Sequence, residues 1–270
     1  GTAGPGQNPL AGKIGHFAPF VAQNMLTPAH LKTAEVLCLS GATVPPSLAQ
    51  AVEGQMTDGK VIQLWGMSEL QAGTFGRPGD PAAKRYATAG AAVPQTELRT
   101  IAEDGTALPP DQEGALQVRG PSVFAGYLNR EDETARAFDA DGWFATGDLA
   151  KIDAEGFMTI TGRTKEIINR GGVKFNPVEV EEILITHPAI QQCAIVPLAD
   201  PDLGERGCLC VELAPGASLT LDQVTSALSE VGMAKYKWPE RLVVVAQMPL
   251  TPTRKIMRGR LSEQIETLRG

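Results

Sequence analysis

One stretch constrains the chain more than any other: Gly162-Arg163-Thr164-Lys165-Glu166-Ile167-Ile168-Asn169-Arg170-Gly171-Gly172. A strand-like run, Phe157-Met158-Thr159-Ile160-Thr161, enters it, and a module with its own helix caps and strands leaves it. A glycine, three basic residues and a glycine pair suit a charged hinge. Ile167 and Ile168 give that hinge something to pack, which a disordered linker lacks. The fold is therefore expected in two parts, residues 1–164 and 165–270.

Composition agrees. The 270 residues suffice for two domains, and 43% hydrophobic with 20% charged content is that of a soluble globular protein. The 31 acidic and 24 basic residues give a net charge of −7 without a long run of either sign, which argues against a nucleic-acid partner. No apolar run reaches the roughly 18–20 residues that span a bilayer. No signal-peptide pattern opens the chain, so a cytoplasmic location is expected. Cys38, Cys193, Cys208 and Cys210 lie in apolar strand-like runs, with too few ligands nearby for a zinc site. Buried free thiols are the expectation.

Residues 1–15 are rich in Gly and Pro and read as a linker or broken end. In residues 16–84 an α/β pattern follows: a short helix around Phe20, Val21 and Met25, then a buried strand at Ala34–Leu39. The strand ends in Ser40-Gly41-Ala42-Thr43-Val44-Pro45-Pro46, and a helix is expected over Ser47–Val52. A second strand, Val61–Trp65, runs into Gly66-Met67-Ser68-Glu69. An indole can stack on a nucleobase, and Ser68 and Glu69 can meet phosphate and Mg²⁺, a hard cation preferring oxygen. Taken alone, the tetrad better fits a capped helix start after a core tryptophan.

Residues 85–164 read as β-rich, a small barrel or distorted sheet. Strands are expected at Thr96–Ile101 and Gly114–Arg119, a short helix over Glu131–Phe138, and a hairpin turned at Asp153-Ala154-Glu155-Gly156. Between them lies Trp143-Phe144-Ala145-Thr146-Gly147-Asp148. Asp148 is either a ribose-binding carboxylate or an ordinary Asx-turn residue.

In the second part, Asn176-Pro177-Val178-Glu179 signals a helix start with an Asn cap and a reciprocal Glu. Ile190–Val196, Cys208–Leu213 and Arg241–Val245 are expected strands. Thr220-Leu221-Asp222-Gln223 opens a helix that Gly232 closes, and Leu261, Ile265 and Leu268 mark a last helix. The result is a compact α+β domain. Before its last helix stands Met248-Pro249-Leu250-Thr251-Pro252-Thr253-Arg254-Lys255, a loop stiffened by two prolines.

Together these motifs resemble the adenylate-forming (AMP-binding) enzymes, in family order, over roughly residues 17–268. The hinge is similar to that family's Gly-Arg-x-Lys-(Asp/Glu)-x-Ile followed by Gly-Gly. Trp65-Gly66-Met67-Ser68-Glu69 resembles Tyr-Gly-x-(Thr/Ser)-Glu, with tryptophan for tyrosine. Gly114 to Asn129 and Gly142 to Asp148 resemble the family's next motifs in spacing. The proline loop resembles Leu-Pro-x-Thr-x-x-Gly-Lys, with Arg254 in place of glycine.

The resemblance implies the end of a large α/β domain with a small β-barrel-like subdomain, then a hinge and a mobile α+β domain. It implies an acyl-CoA synthetase using ATP, Mg²⁺, CoA and a small carboxylic acid. Gly41, Ala42 and Trp65 would border the adenine, with Gly66 and Met67 also nucleotide-binding; Ser68 would meet phosphate and Glu69 would hold Mg²⁺. Asp148 and Arg163 would bind ribose, Lys165 would be the hinge, and Gly171 and Gly172 would lie against pantetheine. Lys255 would be the catalytic lysine. The family's Thr-Ser-Gly-Thr-Thr-Gly-x-Pro-Lys-Gly phosphate loop does not occur in these 270 residues. An amino-terminal half is therefore expected to be missing, leaving the chain inactive alone. Loading of a carrier protein, or a non-catalytic nucleotide-binding remnant, are the alternatives.

Overall fold

Two apolar runs form the first layer. A computed structural model of the chain describes residues 28–41, 44–251 and 255–267. The stretch around Phe20–Met25, Ala42 and Arg254 lie outside them. α1 (Pro28–Thr33) leads to β1 (Val36–Leu39), α2 (Pro46–Glu53) and β2 (Lys60–Trp65). β1 and β2 run parallel, from Val36 opposite Lys60 to Leu39 opposite Gln63. Parallel neighbours need a crossover, and α2 supplies it, with proline in its first turn. Leu31, Leu39, Ala49, Val52 and Val61 close the core between them. β3 (Thr74–Phe75) and β4 (Ala91–Ala92) extend the sheet in the order β1-β2-β3-β4.

α3 (Ala82–Ala87) carries the ion pair that ties this layer together. Arg85 is only 4% exposed and forks onto Glu53 at the end of α2. Its Nη2 donates to Glu53 Oε1 at 2.9 Å, and its Nη1 donates to the Val61 carbonyl at 2.8 Å. Glu53 also accepts from the Val61 N–H and the Tyr86 hydroxyl, both at 2.7 Å. Burial by itself pushes the Glu53 carboxyl up. The Arg85 guanidinium, the Val61 N–H and the Tyr86 phenol outweigh it and hold the pKa at about 2.

The second sheet is antiparallel from β5 (Glu97–Ile101) through β6 (Gly114–Arg119) to β7 (Phe144–Ile152), and β8 (Met158–Arg163) completes the order β5-β6-β7-β8. Among the described residues it is open, with β5 and β8 at its ends, so of the barrel or distorted sheet expected it is the sheet. Four strands are too few for the tilt and stagger of a closed barrel. α4 (Glu131–Ala137) lies between β6 and β7 in the chain. Asp153 turns the next corner, its Oδ1 accepting from the Glu155 and Phe157 amides at 2.9 Å each. Leu116, Val118, Phe144, Ala150 and Met158 pack with Trp65 and Leu70 from the first sheet's side.

The chain divides into two compact units, residues 1–161 and 162–270. In the second, β9 (Ile168–Arg170) and β10 (Val173–Phe175) form a hairpin, followed by α5 (Val178–Leu184), β11 (Ile190–Asp200) and β12 (Gly204–Leu213). α6 (Leu221–Glu230), β13 (Arg241–Val244) and α7 (Arg258–Thr267) complete it. Strand order is β10-β9-β12-β11, with β13 parallel to β12. Strand alternation sends Ile195, Leu209 and Val211 to one face, where Val180, Leu184, Val224 and Leu228 cover them. Ala194, Val196, Cys208 and Cys210 take the other face, covered by Leu261 and Ile265. Helices thus cover both faces, which is why these strands read as continuous apolar runs.

Two local expectations need correction. Asn176 Oδ1 accepts from the Val178 amide at 3.1 Å, an Asx turn, while Glu179 pairs with Lys237 instead of completing a capping box. Cys193, Cys208 and Cys210 are buried, but Cys38 is exposed. It lies on β1, the last strand in the order of its sheet, with no described strand beyond it. At α6 the capping box of Thr220 and Gln223 is present, and Gly232 ends the helix region at φ +72°.

Candidate functional site

In the first unit the site begins where β2 turns. A Cβ on Gly66 would stand 1.8 Å from the Gln71 carbonyl oxygen, so the turn admits only glycine there. The Met67 carbonyl accepts from the Leu70 and Gln71 amides at 3.1 and 2.7 Å, and Gln71 takes the left-handed φ of +64°. Gly73 lets the returning chain press on the Trp65 ring, since a Cβ there would lie 2.2 Å from the indole. The tryptophan is consequently only 9% exposed.

Its ring N–H has one conspicuous partner. Trp65 Nε1 donates to Asp148 Oδ2 at 2.9 Å, joining two expected site residues 83 positions apart. Asp148 is 6% exposed and follows Gly147, whose φ of +78° turns the strand. Its backbone N–H donates to Thr146 Oγ1 at 3.1 Å, and that hydroxyl donates to the Leu116 carbonyl at 2.9 Å. The indole supplies a donor where the family pattern has a phenol.

Glu69 is fixed by residues the sequence did not single out for a role. The Tyr127 hydroxyl donates to its Oε1 at 3.2 Å, and its carbonyl accepts from the Phe124 amide at 2.7 Å. Phe124 meets the Tyr127 ring edge-on at 4.8 Å. Burial, then the Glu69 carboxylate, pushes the Tyr127 phenol above its ordinary pKa, so it stays a donor. The run Gly126-Tyr127 was visible in the sequence; its reach to Glu69, 58 positions away, was not. Ser68, Gly66 and Gly41 are exposed, the last at φ +92°.

Among the described residues no group of three His, Cys, Asp or Glu side chains forms a metal cage. Glu69 alone suits Mg²⁺ as that ion meets nucleotides: one or two carboxylates, with phosphates and water completing the octahedron.

In the second unit, Arg163 ends β8 and Lys165 sits in a 3-10 turn, Thr164–Glu166; both are exposed. Gly171 and Gly172 join β9 to β10 with φ of +60° and +86°, the paired positive values of a type I′ hairpin. A Cβ on Gly172 would meet nothing, so backbone conformation is what requires glycine there. Lys255 is exposed on a short ladder. Its amide donates to Thr251 Oγ1 at 3.0 Å and its carbonyl accepts from the Thr251 amide at 2.8 Å.

The comparisons with known proteins agree with this layout. Residues 13–128 match the AMP-binding enzyme family and residues 179–255 match the AMP-binding enzyme C-terminal domain. The medium-chain fatty-acid–CoA ligase of Escherichia coli (strain K12) is 38% identical over 239 residues, covering 88% of this chain and 42% of that protein. A salicyl-AMP ligase / salicyl-S-ArCP synthetase of Mycobacterium tuberculosis (strain ATCC 25618 / H37Rv) is 36% identical, over 90% of this chain and 43% of its own length. ATP-bound MatB from Rhodopseudomonas palustris superposes with a TM-score of 0.76 at 25% identity, covering 94% of this chain and 59% of that one. The chain thus spans about two-fifths of the curated relatives it matches. With both family regions present in order and relatives at this level of identity across most of its length, the chain belongs to the AMP-binding, adenylate-forming enzyme family.

Proposed function

We propose that this chain carries the nucleoside-binding turns and the mobile carboxyl-terminal module of an ATP-dependent acid–thiol ligase. In this reading a carboxylate oxygen of a small acid attacks the α-phosphorus of ATP. The bond to the bridging oxygen breaks, pyrophosphate leaves and an acyl-adenylate remains. The sulfur of coenzyme A then attacks the acyl carbon, its proton is given up, and AMP departs with the former carboxylate oxygen.

The Trp65–Asp148 hydrogen bond is the observation that carries this reading. A buried carboxylate oriented by an indole N–H has the fixed geometry a ribose diol requires; by family resemblance Arg163 is also assigned to ribose. Trp65, with Gly73 against its ring, serves chiefly to orient Asp148, while Gly41, Ala42, Gly66 and Met67 border the adenine. Ser68 meets phosphate, and Glu69, steadied by Tyr127, holds Mg²⁺, which neutralises phosphate charge when bound. Lys165 is the pivot; Gly171 and Gly172 receive the pantetheine arm. The phosphate loop and acyl pocket are assigned to polypeptide beyond these 270 residues.

A second reading, transfer to a carrier protein, is favoured by the salicyl-S-ArCP synthetase relative. The test supplies ATP, Mg²⁺, a panel of monocarboxylic acids and either CoA or a phosphopantetheinyl carrier to the chain joined to a phosphate-loop region. Pyrophosphate release with acyl-CoA as product supports the first reading; thioester found only on the carrier supports the second. Neither product with any acid would sink both.

A further inference from the structure

Arg258 opens α7 three residues after Lys255, and every nitrogen of its guanidinium is engaged. Nε lies 3.0 Å from Glu166 Oε2. Nη1 donates to Glu181 Oε1 at 2.6 Å and to the Ile195 carbonyl at 2.9 Å; Nη2 donates to Glu181 Oε2 at 2.7 Å. Glu181 in turn accepts from the Ile195 amide at 2.6 Å. β11 is an edge strand, and this pair satisfies both backbone groups of Ile195 there. Burial opposes the guanidinium charge, yet the Glu181 and then the Glu166 carboxylates raise its pKa further.

One side chain therefore binds three segments of the second unit, the Thr164–Glu166 turn, α5 and β11, and its own backbone continues from the end of the Lys255 ladder. The inner arm is the anchor, with Glu181 12% exposed. The outer arm, to Glu166, is 29% exposed and easier to break. From Arg258 the connection to Lys255 is short and stiff. The Met257 amide donates to the Pro249 carbonyl at 2.8 Å, Leu250 and Ile256 bridge, and the Met248 amide is held by Glu212 at 2.7 Å.

We propose that Arg258 is a positioning residue, coupling the turn that carries Lys165 to the ladder that presents Lys255. This deepens the proposed function, on which the roles of the two lysines rest. When the Thr164–Glu166 turn changes conformation at the pivot, the Glu166 arm is pulled or released, and the Lys255 ladder responds within the same unit. The coupling needs a charged, planar fork with three separate directions of donation, which arginine offers and lysine does not.

The test is amide hydrogen exchange on the 270-residue chain without ligands, so its outcome does not depend on activity. Glu166→Ala is expected to raise exchange of the Lys255 and Met257 amides by about twofold to fivefold, the range set by losing one partly exposed ion pair. Glu166→Gln, which keeps an acceptor for Nε, should restore most of the protection. Glu179→Ala, which removes a carboxylate paired elsewhere with Lys237, should leave those amides unchanged. Faster exchange confined to residues 164–166, or spread through β11 and β12, overturns the coupling. So does a Glu179→Ala effect equal to that of Glu166→Ala. Failure of the ligase assay with selective exchange intact would instead count against the function alone.

Discussion

Glu53→Ala is expected to destabilise the first unit by about 3–5 kcal/mol, because it leaves Arg85 charged, buried and without its carboxylate. The loss exceeds that of an ordinary surface pair because three hydrogen bonds converge on Glu53 besides its shortest contact to Arg85. Urea unfolding followed by tryptophan fluorescence measures it, since Trp65 and Trp143 both lie in that unit. The double variant Glu53→Leu/Arg85→Met should recover much of the loss, as apolar pairs often replace buried ion pairs at little cost. Additive losses in the double variant would show that the pair is not the unit of stability.

The same group sets an acid limit. Glu53 titrates at about 2 in the folded chain against an ordinary value of 4.5. A depressed folded pKa contributes stability that is fully present above the unfolded value and is lost as pH falls through the folded one. Unfolding free energy should therefore decline between about pH 4.5 and 2, and Glu53→Ala should flatten that part of the profile.

In the chain joined to a phosphate-loop region, Lys255→Ala is expected to slow acyl-adenylate formation by about 10²–10³-fold, about 2.7–4 kcal/mol of lost transition-state stabilisation. Two anions, the acyl carboxylate and the α-phosphate, have to approach each other, and the proposed role of the lysine is to hold positive charge between them. Thiolation of preformed acyl-adenylate should change little, because that step no longer brings the two anions together. Pyrophosphate exchange reports the first step and single-turnover transfer to CoA the second. Equal losses in both would remove Lys255 from the role proposed for it.

The second unit was the more legible in sequence. β11 and β12 are covered on both faces and so wrote themselves as apolar runs, and the Thr220–Gln223 box announced its helix directly, whereas the short, more exposed β9 and β10 left no such run. α3 left no such mark. It starts at Pro81 without a side-chain cap and is tied by an ion pair to a residue 32 positions earlier, a partner no local pattern reveals. The Trp65–Asp148 and Tyr127–Glu69 contacts were hidden for the same reason, although three of those four residues had been named for roles. Cys38 misled because apolar composition speaks of a strand, not of which strand ends the sheet order. The β-rich segment showed its turns, but whether four strands close or stay open depends on pairing between its first and last members.

The central claim, that Trp65 and Asp148 form the ribose end of an adenylate site, is tested most directly by calorimetric titration of the 270-residue chain. The ligand is a non-hydrolysable acyl-adenylate mimic, and the control is Asp148→Asn, whose amide oxygen can still accept from the indole and keep the fold. The account predicts saturable binding to the parent chain, weakened at least about tenfold in the variant by loss of a charge-assisted hydrogen bond. Equal affinity for both chains, or no saturable binding to the parent, would contradict it.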